Sequence, residues 1–138
     1  MKKYLIIAFM LATPAFASDW VQTGETKDFK DYLDKDSVRV ESFTGGGRYV
    51  SAWVRFDFKT AQKEAGGKTY WQIKSLYHFD CTHQKRDFSS AVLYDKQGNS
   101  VWSETYPISF YSSQNWDDVI PDSAGEVNFK MVCQIGGL

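Results

Sequence analysis

The 138 residues carry 16 basic and 17 acidic side chains, a formal net charge of −1 that becomes −3 once the two lysines of an N-terminal signal, Lys2 and Lys3, are set aside. Nucleic-acid binding draws its affinity from neutralising phosphates, and the basic residues here are scattered among acidic ones, so that class is excluded. The length fits one domain with a modest core, with no internal repeat and no low-complexity linker.

In chain order, Lys2 and Lys3 give a positive start, Tyr4 to Ala12 is apolar but too short to span a bilayer, and Ala15-Phe16-Ala17 offers small residues for cleavage. This pattern predicts a bacterial-type signal peptide over residues 1–17 and a domain over 18–138, in the periplasm, secreted or at the cell surface. Ser18 stands where a lipoprotein would have cysteine, so no membrane anchor is expected. Trp20 to Gln22, Lys30 to Leu33 and Val38 to Val40 are short strand candidates.

From Arg48 to Lys59 the residues alternate. Val50, Ala52, Val54, Phe56 and Phe58 form one face, and Tyr49, Ser51, Trp53, Arg55, Asp57 and Lys59 the other, which predicts a half-buried strand. Ala61 to Lys68, with Gly66-Gly67, reads as a turn. A second strand follows with Trp71, Ile73, Tyr77, Phe79 and Cys81 on one face and Gln72, Lys74, His78 and Asp80 on the other. Phe88, Val92 and Tyr94 mark a third strand, ended by the turn signal Asp95 to Asn99, and Val101 to Tyr106 a fourth.

The period then changes. Ser123-Ala-Gly-Glu126, after Pro121, has the form of a capping box and predicts a helix start. Glu126, Lys130 and Gln134 make a polar stripe, with Val127, Phe129, Met131, Val132 and Ile135 over most of the remainder. An even pair of cysteines in an exported chain is read as the disulfide Cys81 to Cys133, tying the helix to a strand end. The expected fold is α+β, a mainly antiparallel sheet of five to six strands with a C-terminal helix packed on it and clamped by that disulfide.

Taken together, Asp19-Trp20-Val21, Tyr32-Leu33-Asp34 with Ser37-Val38, the long strand through Trp53, Lys68-Thr69-Tyr70 leading to Phe79-Asp80-Cys81, and Trp116 to Ser123 before Cys133 resemble the bacterial surface-adhesin protein E family. The resemblance covers nearly the whole chain after residue 17. It implies a small exported α+β protein that can dimerise and binds host extracellular-matrix proteins.

No enzyme chemistry is legible. His78, Asp80 and His83 are three possible metal ligands in one stretch, and exposed strand positions account for them as well, so neither a metal nor another cofactor is expected. No serine sits in a nucleophile-elbow setting, and no catalytic residue is assigned. The aromatic residues carry more information. Tyr49, Trp53 and Tyr70, interleaved with Arg55 and Lys74, fall on the face away from the expected core and match the side chains that dominate protein interfaces; Lys68 joins them as a candidate contact through the resemblance, which implies a basic strand before the first cysteine that retains Lys68 and Lys74 here. Two arrangements account for them: a contact surface, a homodimer being the expected form, or cover of that face by the loop Ile108 to Trp116. Trp102, Tyr106, Phe110, Tyr111 and Trp116 lie in a less regular region and fit either a ligand groove or, the preferred expectation, helix-covering core. The function read from this is a non-enzymatic binding protein engaging a protein partner. The rival reading is a periplasmic inhibitor or immunity protein neutralising a toxic enzyme.

Overall fold

In the computed structural model, residues 17–138 are described; the expected signal segment lies outside these residues except for Ala17. The chain folds into β1 (Trp20–Glu25), β2 (Phe29–Asp34), a 3-10 turn (Lys35–Ser37), β3 (Arg39–Ser42), β4 (Arg48–Lys63), β5 (Thr69–Asp80), β6 (Lys85–Tyr94), β7 (Ser100–Thr105), β8 (Asp117–Asp118) and α1 (Ala124–Gly136). All pairings are antiparallel, in the order β1-β2-β4-β5-β6-β7. The sheet has eight strands rather than five or six because two long strands each carry two short partners on one edge. On β4, residues 54–58 pair with β2 and residues 48–51 with β3; on β6, the half near Tyr94 pairs with β7 and the Lys85–Arg86 end with β8.

β4 also runs past the expected turn. A register irregularity between Asp57 and Gln62 absorbs the change, Gln62 pairs with Tyr70, and the hairpin turn shrinks to the residues around Gly66-Gly67. Gly67 has φ +84, a conformation that only glycine adopts without strain.

The alternation read from the sequence is the one observed. Val50 faces Phe79, Ala52 faces Tyr77, and these with Leu33 and Val54 form the main core under Phe129, Val132 and Cys133 of α1. Ser123 caps the helix, its Oγ accepting from the N–H of Glu126 at 3.2 Å. The return bond is displaced by one residue: Glu126 Oε2 accepts from the N–H of Asp122. At the far end Gly137, φ +72, donates to Cys133 and Gln134 carbonyls and stops the helix.

The apolar helix surface is narrower than the sequence suggests. Val127, 44% exposed, and Ile135 face outward, while the polar Asn128 is buried and donates to Asp31 Oδ2 at 3.4 Å. Asp31 is itself fully buried on the core face and accepts from Thr23 Oγ1 at 2.9 Å, so the core contains a polar inclusion. The disulfide between Cys81 and Cys133 closes the helix onto the end of β5.

Candidate functional site

The face of the sheet away from α1 divides into a sealed end and an open middle. At the sealed end the loop containing Phe110 and Trp116 folds over Tyr49, which is only 8% exposed. Phe110 stacks on Tyr49 with centroids 5.4 Å apart, Trp116 meets it edge-on at 5.6 Å, and Phe43 closes the cluster. Phe110 and Trp116 therefore cover the face opposite the helix and are not helix-covering core. Tyr106 packs on Phe88, and Tyr111 is 67% exposed.

His78 lies under this loop, 5% exposed, which corrects its expected place at an exposed strand position; His83 stays largely outside. His78 Nδ1 lies 2.8 Å from Ser51 Oγ and its Nε2 2.7 Å from Ser89 Oγ, and its ring meets Phe110 edge-on. Two hydroxyls, each able to donate or accept, suit either neutral tautomer. Burial lowers the imidazole pKa to about 4. Such a ring is a weak base for the Ser51 hydroxyl, and its evident role is to join β4, β5 and β6 under the loop.

Because the folded ring resists a proton that the unfolded chain accepts near pH 6.5, its contribution to stability is complete above pH 6.5 and declines as pH falls toward 4. Between pH 7 and pH 4 the wild type is expected to lose about 2–3 kcal/mol through this one group. Denaturant unfolding of wild type and His78→Gln across that range checks it, with the variant expected to show a shallower decline. Asp80 and His83 form a separate cluster. Burial raises the Asp80 pKa, but hydrogen bonds from Ser113 Oγ at 2.6 Å and from His83 outweigh it, and the net direction is down.

The open middle of the face is built on β1, β2, β4, β5 and β6. Between the β2 and β3 pairings of β4, the backbone N–H of Trp53 has no strand partner and donates instead to Ser37 Oγ at 2.8 Å. Ser37 Oγ in turn donates to the Asp34 carbonyl, and the Asp34 side chain accepts from the N–H of Asp36 and of Asp19. The short 3-10 turn thus holds Trp53 at the centre of the face.

Arg55 sits directly across from Tyr32 on one side and Lys74 on the other. Its guanidinium lies 4.1 Å from the Tyr32 ring and 4.9 Å from that of Trp20. Nη2 donates to Asp57 Oδ2 at 3.1 Å; Nε is as close to Oδ1 but is not aligned as a hydrogen bond. Gln72 Nε2 donates to the same carboxylate at 2.8 Å. Lys74 Nζ lies 4.6 Å from the Tyr94 ring and 5.8 Å from Trp20, and among the described residues it has no carboxylate partner. Grooves flank Trp53 on both sides, one of about 480 Å³ toward Arg39, Glu41 and Leu76 that reaches the edges of Tyr49, Ser51 and His78 where the loop cover ends, the other of about 220 Å³ toward Trp20, Lys74 and Tyr94.

Of the six residues expected to bind a partner, Trp53, Arg55 and Lys74 come together here. Tyr49 is sealed under the loop. Lys68 and Tyr70 lie toward the far end of β5, where Lys68 Nζ donates to the Val101 carbonyl and the Tyr70 ring meets Phe58 edge-on. Sequence reading missed Trp20, Tyr32 and Tyr94. Their signal was present in the alternation of β1, β2 and β6, but only the strand order places them beside Arg55 and Lys74.

Residues 20–134 match the protein family described as surface-adhesin protein E. No curated protein and no solved structure matches. Among the described residues there is no group of three or more histidine, cysteine or acidic side chains arranged to hold a metal ion.

Proposed function

The chain belongs to the surface-adhesin protein E family, and from that premise we propose that it is an exported, non-enzymatic binding protein whose open sheet face engages a protein partner. The observation that carries this reading is the uncovered middle of the sheet, where Arg55 and Lys74 rest on the rings of Tyr32, Trp20 and Tyr94 beside Trp53. Large aromatics and arginine held in place before contact lose little conformational freedom on binding, which is why such side chains dominate interface energetics. Host extracellular-matrix proteins are the proposed partners, at the cell surface or after secretion.

Surface-binding measurements against immobilised matrix glycoproteins test the proposal. Trp53→Ala and Arg55→Ala are each expected to weaken binding by on the order of tenfold or more. Affinity indifferent to both changes removes this face from the account. Self-association through the same face is the second form of contact, and sedimentation of wild type against Trp53→Ala reports it.

A further inference from the structure

The groove of about 220 Å³ beside Trp53 has a mixed chemistry that narrows its occupant. Its walls include the rings of Trp20, Trp53 and Tyr94, and its polar groups include Lys74 and Asp34. Lys74 Nζ can only donate hydrogen bonds, and it carries a full positive charge with no carboxylate partner among the described residues. Asp34 can only accept when ionised. Its Oδ1 is taken by the N–H groups of Asp19 and Asp36, at 3.0 and 3.2 Å, and among the described residues Oδ2 makes no hydrogen bond.

An anionic ligand would meet Lys74 favourably but bring its charge against Asp34; a cationic ligand would face the reverse conflict. A purely apolar ligand would strip water from both charged groups without replacing it, which is costly. A neutral polyol resolves the conflict, because each hydroxyl both donates and accepts and so satisfies the ammonium and the carboxylate together. The aromatic walls add the second requirement, Trp53 above all, since cations already lie over the Trp20 and Tyr94 rings. Their faces carry negative quadrupole density, which attracts the weakly positive C–H groups that a sugar ring presents on one face.

We infer that this groove is a subsite for a neutral sugar ring, stacked on the aromatic walls with its hydroxyls shared between Lys74 and Asp34. The inference rests on the reading of this face as the binding surface and specifies what part of a glycoprotein it touches. The sugar is a neutral hexose or N-acetylhexosamine, whether free or at the end of a protein-linked glycan.

The test titrates the full protein with a panel of methyl glycosides of neutral hexoses and N-acetylhexosamines, followed by tryptophan fluorescence and by saturation-transfer NMR. At least one glycoside is expected to give a saturable response at millimolar concentration. Trp53→Ala should weaken it tenfold or more, and Lys74→Met, which keeps the apolar stem, severalfold with an unchanged melting temperature. Tyr111→Ala, at an exposed ring lining neither groove, should bind as wild type.

No saturable response from any glycoside overturns the inference, as does wild-type affinity in both groove variants. Saturation by a poly-glutamate peptide without any response to glycosides also overturns it. Enzymatic deglycosylation of the matrix glycoproteins separates this inference from the reading it rests on. Loss of binding on deglycosylation supports the sugar subsite. Binding that survives deglycosylation yet still requires Trp53 overturns the subsite and leaves the protein-partner reading standing. Glycoside binding without any glycoprotein binding supports the subsite and overturns the other.

Discussion

Replacing both cysteines, as Cys81→Ala with Cys133→Ala, is expected to cost about 4 kcal/mol of folding stability and roughly 15 °C in melting temperature. The bond joins residues 52 apart in sequence, so it closes a long loop in the unfolded chain and removes much of that chain's freedom. Domains of this size are held by about 5–15 kcal/mol in total, so the loss is a large share of the whole. The native face needs the bond less, because Phe129 and Val132 already pack α1 on Leu33, Val50 and Phe79. The variant should therefore fold with the same secondary structure. Its denaturant m-value should rise, because the unlinked unfolded chain exposes more surface. Equilibrium unfolding monitored by circular dichroism gives both quantities. A loss below about 1 kcal/mol with an unchanged m-value would show that the clamp constrains neither state.

The parts of this fold that could be read from sequence are those governed by local periodicity. The alternation through Val50 to Phe58 fixed which side chains meet the helix, and Ser123 with Glu126 located its first turn, because both patterns repeat within a few residues. Strand order is set by partners far along the chain, and there the sequence was silent. Nothing local shows that β2 and β3 share one edge of β4, or that the gap between them is bridged by Ser37 Oγ. The Tyr32-Leu33-Asp34 and Ser37-Val38 element acquires a physical meaning only here. Asp34 caps the 3-10 turn, Ser37 anchors the Trp53 backbone, and Tyr32 supports Arg55.

The candidate face was half legible for the same reason. Alternation placed Tyr49, Trp53 and Arg55 on the side away from the core, and that side is where they are. Whether such a side is covered depends on a loop some sixty residues downstream, as the backbone bonds from Thr44 and Gly45 to Phe110 and Tyr111 show. The loop reaches Tyr49 and His78 and leaves the Trp53 to Lys74 stretch open. The internal cover expected for this face is therefore observed at one end of it, and the remainder, on which the contact-surface proposal rests, stays uncovered. Burial of His78 could not be inferred from its neighbours Tyr77 and Phe79, which point the other way.

Trp116→Ala is the second large effect expected, a loss of about 3 kcal/mol, at the lower end for removing a buried tryptophan because a single surface loop can partly collapse into the space. Trp116 is 3% exposed, has its ring centroid 5.2, 5.6 and 6.2 Å from those of Phe43, Tyr49 and His78, and donates its indole N–H to the Ser109 carbonyl at 3.0 Å. Its removal opens the cover over His78, whose pKa is depressed by burial alone. The imidazole pKa should then climb from about 4 toward 6.5, and the acid sensitivity attributed to this group should shrink with it. NMR titration of the ring protons in wild type and variant measures the shift directly. A pKa that stays near 4 in a folded Trp116→Ala protein would mean that the flanking strands dry this site without the loop. The loop would then pack on the sheet without sealing it, and its aromatic residues would act on stability only through their own burial.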